Sequence, residues 1–261
     1  MSPVNPATPG DPVPSRDHYS YSVYADPATA QSFDNKRFSG PIGEMIAGTQ
    51  ARVLANFVGR IHGRPILDVG TGTGRAALLL AGGGAIVTAV DASEQMLAVA
   101  RKRAAEQGAA IKFMIGDVHA LDFPDRSFDV AVSLRVLMHS PRWRLCVSEL
   151  CRVADRLVII DYPSRTSVAV FQSLWRSVLH RFGAKTEPYA VFSHAQISDA
   201  FERAGFRIRS VHRQFVLPIG FHKMLRSRRM TMRIEDALDR LGLLKLFGSP
   251  VTLVAERCVI S

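Results

Sequence analysis

Short apolar runs alternate with amphipathic helical patterns along the chain from residue 64 onward. One helical pattern places Met96, Leu97, Ala100 and Ala104 on a single face, and Ser93 stands where it can cap that helix. Strands are predicted at 65–69, 85–90, 111–115, 128–134 and 157–160. Because several of these strands are continuously apolar, they are expected to be buried on both faces. The pattern predicts an α/β fold with a doubly wound, mostly parallel sheet.

The C-terminal part departs from this alternation. Residues 165–189 and 218–249 have helical patterns that add to the strand–helix series, and 206–217 alternates apolar with basic residues, as an edge strand does. Residues 251–255 form the last predicted strand. The two additions are expected to shape a pocket or a surface, since they carry aromatic side chains suited to an apolar ligand: Phe171, Trp175, Phe182 and Phe221, with Phe215 just before the second addition.

Composition is typical of a globular protein with one domain. The chain has 261 residues, 47% of them hydrophobic and 21% charged. Residues 1–18 are rich in proline and predicted to be a disordered tail, which leaves 19–261 as a single domain. No apolar run is long enough to span a membrane, and there is no signal-peptide pattern or metal-ligand spacing. A cytoplasmic protein without a metal is expected.

The net charge of +10 is concentrated in one stretch. Nine Arg or Lys residues and no acid lie between Glu202 and Glu235. Such a stretch could contact anionic lipid, an acidic substrate or RNA, or it could be an ordinary solvated face.

Glycines and carboxylates follow three of the predicted strands. Gly70, Gly72 and Gly74 come after the first strand, Asp91 ends the second, and Asp117 follows the third. In open parallel sheets the ligand binds beyond the carboxyl ends of the strands, where these residues would meet. An acid about twenty residues after a glycine-rich turn is placed to bind ribose hydroxyls.

The turn differs from a dinucleotide-binding turn. Its spacing is Gly-x-Gly-x-Gly, whereas a pyrophosphate-binding turn has Gly-x-Gly-x-x-Gly. Asp68 stands two residues before the first glycine, where it would repel a pyrophosphate but attract the amino group or sulfonium of S-adenosylmethionine (AdoMet).

These segments resemble the class I AdoMet-dependent methyltransferases. Residues 66–74 (ILDVGTGTG) resemble the first motif of that family, 89–93 (AVDAS) the second, and 116–117 with 121–130 the adenine-side loop and fourth strand. The similarity is to the type 11 group, which includes the ubiquinone and menaquinone biosynthesis methyltransferases. It implies a seven-stranded sheet with an antiparallel final strand, and AdoMet as cofactor. The cofactor-binding residues that it implies are Asp68, Gly70, Thr71, Gly72, Asp91, Ala92, Met96, Asp117, Val118, Leu134 and Arg135.

The acceptor side is less defined by the sequence. His139 is the candidate general base, with Asp161 and Tyr162 as alternatives, and Arg37, Arg64 or Arg75 could bind the methionine carboxylate. A small, apolar or aromatic, quinone-like acceptor is predicted, methylated on oxygen or carbon. The alternatives are an RNA methyltransferase that uses residues 203–233 and a non-catalytic AdoMet-binding protein. A lipophilic acceptor would also suit a protein that contacts an anionic membrane at its periphery.

Overall fold

The computed structural model describes residues 38–167 and 189–258. The helices are α1 (Gly40–Val58), α2 (Arg75–Gly82), α3 (Glu94–Glu106), α4 (Trp143–Val153), α5 (His194–Arg203), α6 (Ile219–Leu225), α7 (Arg228–Arg240) and α8 (Leu243–Phe247). The strands are β1 (Pro65–Val69), β2 (Ile86–Asp91), β3 (Ile111–Ile115), β4 (Phe128–Ser133), β5 (Ala154–Tyr162), β6 (Phe206–Phe215) and β7 (Ser249–Arg257). A 3-10 turn spans Leu137–His139.

The described strands form one seven-stranded sheet in the order β3-β2-β1-β4-β5-β7-β6. Strands β1 to β5 are parallel, and β7 inserts antiparallel between β5 and β6. The order reverses at β1, so the ends of β1 and β4 open the crevice that binds ligands in this type of sheet. The predicted fold class, including the antiparallel last strand and the edge strand β6, is confirmed.

Two hydrophobic clusters cover the two faces of the sheet. On one face, α1 and α2 contribute Leu54, Val58, Ala77 and Leu80, which pack against strand residues such as Ile159. On the other face, Val147, Leu150, Ile197 and Phe201 of α4 and α5 pack against strand residues such as Ile160. Successive residues of each strand therefore point into different clusters, as expected for a sheet buried on both sides.

Several boundaries differ from the sequence prediction. Helix α1 was not predicted, and β5 extends beyond the predicted 157–160 at both ends. The predicted aromatic helix with Phe171, Trp175 and Phe182, like residues 1–37, lies outside the described residues. Within the ranges 38–167 and 189–258, no helix combines the length and the apolar character needed to cross a membrane.

Helices α6 and α7 are joined to the end of β6 by buried polar groups. The Glu235 carboxylate accepts hydrogen bonds from the backbone N–H groups of Val216 (2.7 Å) and Leu217 (3.0 Å). Nε2 of the fully buried His222 lies 2.7 Å from Oε1 of Glu235. This polar centre fixes the C-terminal helices beside the carboxyl ends of the parallel strands. Tyr162 at the end of β5 and Arg213 of β6 both pair with Val251 of β7, so the end of β6 lies at that edge of the sheet.

Candidate active site

The glycine-rich turn is held against β2 by its backbone. The N–H groups of Gly70 and Thr71 both donate to the Val90 carbonyl, at 2.8 and 3.0 Å. Gly70 and Gly72 have positive φ angles of 70° and 54°, a region that favours glycine. A Cβ on Gly70 would lie 2.2 Å from Cγ2 of Val136, whereas a Cβ on Gly72 would meet nothing within 4 Å. The turn therefore packs closely against the segment after β4 on one side and faces open space on the other.

Asp68 is a buried carboxylate at the base of this turn. Its side chain is 1% exposed and accepts a 2.6 Å hydrogen bond from the Thr71 hydroxyl. The pKa of Asp68 is raised to about 6, mainly by burial and to a small degree by the nearby Asp91, while hydrogen bonds from Thr71 and from the Ala77 backbone oppose the shift. A cation beside Asp68 would be favoured, since it would stabilise the ionised carboxylate.

Asp91 joins the glycine-rich turn to the N-terminus of α3. Its Oδ2 accepts from the Gly72 N–H at 2.7 Å, and its Oδ1 accepts from the Ser93 N–H at 2.9 Å. Burial raises the pKa of Asp91, and the backbone hydrogen bonds lower it. Backbone N–H groups of Gly72, Ser93 and Ala92 occupy three of the four acceptor positions of the carboxylate, so Asp91 can still accept from a hydroxyl group of a ligand. Ala92 beside it is exposed, and the Met96 side chain is buried on α3.

A chain of hydrogen bonds links Asp117 to the 3-10 turn. Oδ1 of Asp117 lies 2.7 Å from Nδ1 of His119 and accepts from the His119 backbone N–H at 2.9 Å. Nε2 of His119 lies 2.7 Å from the hydroxyl of Ser140, the residue directly after the 3-10 turn that contains His139. His119 and Ser140 are both buried. The carboxylate after β3 is thus oriented by His119 of the same loop, which is held in turn by Ser140 after β4.

The segment after β4 lies between the turn and β5. The hydroxyl of Ser133 donates to the Val69 carbonyl at 3.0 Å, which joins the ends of β4 and β1. Arg135 has a positive φ of 67°, and its backbone N–H donates to Oδ1 of the buried Asp161. Leu134 packs against the cluster beneath α1 and α2. Val118, after β3, packs against the opposite cluster.

The candidate bases have different environments. His139 ends the 3-10 turn, with its ring centroid 6.3 Å from that of Tyr189. Tyr162 is fully buried, its hydroxyl lies 3.2 Å from Nδ1 of His194, and burial raises its pKa to about 12. A phenol with that pKa is a poor base near neutral pH, which leaves His139 and Asp161 as the candidates.

The two described candidate arginines lie at opposite ends of the parallel strands. Arg64 precedes β1 at the opposite edge and forms a 3.2 Å ion pair with Asp129, so its prediction as a carboxylate ligand is wrong. Arg75 begins α2 directly after the glycine-rich turn, and its guanidinium stacks 3.5 Å from the Phe38 ring centroid. Arg37 lies outside the described residues.

Comparison with known proteins identifies this arrangement. A family model described as a methyltransferase domain matches residues 67–157. A demethylmenaquinone methyltransferase of Tropheryma whipplei is 30% identical over 194 residues, which cover 67% of this chain and 80% of that protein. The chain belongs to the class I AdoMet-dependent methyltransferases.

Two further comparisons differ in what they cover. A demethylmenaquinone methyltransferase of Thermus thermophilus is 37% identical to this methyltransferase over 103 residues, but the match spans only 38% of this chain and 47% of that protein. The crystal structure of magnesium protoporphyrin IX methyltransferase from Synechocystis PCC 6803 with bound SAH superimposes with a TM-score of 0.62 at 21% identity, covering 90% of this chain and 99% of that one. This second likeness concerns the fold.

The cofactor of this methyltransferase is AdoMet. The residues present suit it: an open space beside Gly72, a carboxylate at the end of β2 that can accept a further hydrogen bond, and a buried acid that would be stabilised by a cation. His119, Ser133 and Ser140 were not predicted from the sequence. The close spacing of Asp117 and His119, which suits a hydrogen bond between their side chains, was the one available signal for these residues.

Proposed function

We propose that this methyltransferase transfers the methyl group of AdoMet to oxygen or carbon of a small, apolar or aromatic, quinone-like acceptor. The observation that carries this proposal is the identity with a demethylmenaquinone methyltransferase, which extends over 194 residues, or 67% of this chain and 80% of that protein. The aromatic side chains of Phe215 and Phe221, which pack around His222 beside the carboxyl edge, support an apolar acceptor.

The carboxylates at the strand ends are proposed to hold the cofactor. Asp68 would face the cationic methionine part, together with Gly70, Thr71 and Gly72. Asp91 would accept from the ribose hydroxyls, with Ala92 and Met96 near the adenine. Asp117 would accept from the adenine amino group, beside Val118, while Leu134 and Arg135 would lie under the sulfonium. When bound, AdoMet supplies an electrophilic methyl group, so the protein mainly has to align the acceptor and stabilise charge.

His139 is proposed as the general base. It follows β4, on the side of the cofactor crevice where the acceptor is expected, and its imidazole is the side chain whose ordinary pKa lies closest to neutrality. Its role would be to take the proton from an acceptor hydroxyl. Replacing His139 with Gln should lower kcat by about a hundredfold, a typical contribution of a general base, while AdoMet binding is retained.

The outward surface of α6 to α8 is proposed to contact an anionic membrane. Of the eleven large apolar side chains exposed in the described residues, seven lie between 221 and 247, including Met224 (81% exposed) and Leu241 (74%). The same segment has seven Lys or Arg and three acids, of which Glu235 is buried. Helix α7 turns Thr231 and Glu235 inward and leaves Met230 and Met232 outside, so its solvent side is both apolar and basic.

This combination suits lipid better than RNA. Each basic residue near an anionic bilayer contributes about 1 kcal/mol to binding, and exposed methionine and leucine add burial in the headgroup region. RNA binding would use the charges but not the apolar side chains. Part of the basic stretch is also neutralised, because Arg203 pairs with Asp199 and Arg207 pairs with Glu256.

An acceptor screen with methyl-labelled AdoMet tests the proposed reaction. We expect label in 1,4-naphthohydroquinones carrying an apolar side chain, under anaerobic conditions, and none in mixed tRNA. Label in RNA alone would refute the proposal, and binding of AdoMet without transfer to any acceptor would favour the non-catalytic alternative.

Flotation with phosphatidylglycerol vesicles tests the membrane surface separately. The Met224→Ser and Leu241→Ser variants should float less than wild type, whereas Ile86→Ser, which removes an apolar side chain of β2 that is 64% exposed, should float normally. Equal recovery with phosphatidylcholine vesicles, or retention on RNA in place of vesicles, would contradict the membrane proposal.

A further inference from the structure

A row of polar side chains crosses strands β5, β7 and β6 near the carboxyl edge. Asp161 pairs with Thr252, and Thr252 pairs with His212, so these three residues lie side by side and on one face of the sheet. Two residues further from the carboxyl edge, the same face is apolar, because Ile159 pairs with Val254 and both belong to the cluster beneath α1. The face therefore changes from apolar to polar as it approaches the ligand crevice.

Helix α1 covers this polar row. Leu54 and Val58 of α1 pack in one cluster with Ile159 and Val254, which lie on the same face of the sheet as the row. The pKa of His212 is lowered by burial and, to a smaller degree, by the positive charge of Arg52 on α1. Asp161, at the other end of the row, accepts the backbone N–H of Arg135 after β4. The row thus begins beside the proposed cofactor site and ends under α1.

Several nitrogen atoms here have no hydrogen-bond partner. In the described part of the chain, Nε2 of His212 and Nε2 of Gln214 are buried and unpartnered, and so is Nε of Arg135. Gln214 follows His212 by two residues and so points to the same face of β6. A buried polar atom without a partner lowers the stability of the fold, so such atoms are usually found where a ligand or water completes them.

We propose that His212 and Gln214 form a subsite that binds a second oxygen of the acceptor ring, distant from the atom that receives the methyl group. This inference rests on the proposed function and specifies its substrate class: an aromatic acceptor with two oxygen substituents, such as a hydroquinone. Gln214 supplies an N–H donor, and the imidazole of His212 can donate to an oxygen or accept from a hydroxyl.

The position in the sheet supports a role in binding and not in chemistry. Strand β6 is three strands from β4, and neighbouring strands are spaced by about 4.8 Å, so His212 lies roughly 14 Å along the edge from the strand that leads to Arg135. This separation places His212 and Gln214 away from the position proposed for methyl transfer beside Arg135. His212 and Gln214 are therefore positioning residues.

Two acceptors that differ by one oxygen provide the test. Wild type should methylate 1,4-naphthohydroquinone with a higher kcat/KM than 1-naphthol, by about tenfold or more for one or two hydrogen bonds. His212→Phe and Gln214→Leu should raise the KM for the hydroquinone and abolish this preference, while kcat and the Kd for AdoMet stay near the wild-type values. The matched control is Ser210→Ala, an exposed position on the same strand.

The outcomes separate the two proposals. If wild type transfers no methyl group to either compound or to any related ring, the proposed function fails. If wild type is active but the two variants keep its preference for the hydroquinone, the subsite is refuted and the proposed function is not. Should His212→Phe fail to fold, as judged by its thermal unfolding and AdoMet binding, Gln214→Leu gives the same comparison, and the conservative His212→Gln should keep part of the preference because its amide retains a donor.

Discussion

The raised pKa of Asp68 predicts that AdoMet binding depends on pH. The carboxylate is buried, and its pKa of about 6 in the folded protein compares with an ordinary value of 3.8. If the cationic methionine part binds beside it, only the ionised form of Asp68 is competent. For a pKa of about 6, the ionised fraction falls from about 97% at pH 7.5 to about 9% at pH 5, so the affinity should fall about tenfold.

Titration calorimetry of AdoMet between pH 5 and 7.5 measures this dependence. The Asp68→Asn variant should bind more weakly at pH 7.5 and should lack the decline between pH 6.5 and 5, since the amide does not titrate. The substitution leaves Val69 and Thr71 unchanged, and the amide has nearly the same shape as the carboxylate, so we expect the shape of the turn to be retained. A wild-type Kd that is constant across this range, or an unchanged pH dependence in Asp68→Asn, would refute the reasoning.

The same pKa has a consequence for the stability of the protein without ligand. Because the folded pKa of Asp68 is raised, protonation stabilises the folded state: this contribution is complete below pH 3.8 and is lost as pH rises through about 6. The difference between about 6 and 3.8 corresponds to about 3 kcal/mol. Asp68→Asn should therefore unfold at a higher denaturant concentration than wild type at pH 7.5, and the difference should shrink toward pH 5.

Three other predictions concern single side chains. Gly70→Ala should abolish AdoMet binding measured by calorimetry, because its Cβ would overlap Val136 and its φ is positive; retained affinity would contradict the packing of the turn. His119→Ala should weaken AdoMet binding by about tenfold, as expected for one lost charge-assisted hydrogen bond that orients Asp117, whereas His119→Asn should restore part of it. Ser193→Ala should lower the free energy of unfolding in urea by about 1 kcal/mol with unchanged activity, since it removes the cap of α5.

Hydrophobic periodicity predicted most of the sheet because its strands are continuously apolar. The bounds of β1 and β3 match the prediction, since each strand is followed by glycine or by a glycine and an acid. Strand β5 was predicted too short, because Asp155 and Asp161 interrupt its apolar run. Pairing of Ala154 with Phe128 of β4 and of Asp161 with Thr252 of β7 extends the strand at its two ends. Periodicity shows which residues are buried, but it does not show where a neighbouring strand supplies hydrogen bonds.

Helix α1 was missed for a different reason. Its sequence contains Gly43 and Gly48, which have low helix propensity. The apolar residues at Ile42, Met45 and Ile46 nevertheless follow helical spacing and pack against Phe215 of β6. Contacts across the fold stabilise this helix, and its sequence alone gives only a weak signal.

The sequence predicted which residues lie at the candidate site more fully than it predicted the contacts between their side chains. The acids at the carboxyl ends of β1, β2 and β3 could be found because each occupies a fixed position relative to its strand. The contact of His119 with Ser140 joins residues 21 positions apart through two loops, so it depends on how those loops fold. Likewise, alternation predicted β6 as an edge strand, but only its register with β7 places His212 beside Thr252.

The most direct test of the central claim is AdoMet calorimetry on wild type, Asp91→Ala and Asp155→Ala. Asp91 lies at the carboxyl edge and holds the Gly72 N–H, whereas Asp155 is an exposed acid near the opposite edge of the sheet. We expect one-to-one binding to wild type and Asp155→Ala, and at least about tenfold weaker binding to Asp91→Ala. Equal affinity of all three proteins would contradict the placement of the cofactor at this edge, and no binding to wild type would contradict AdoMet as the cofactor.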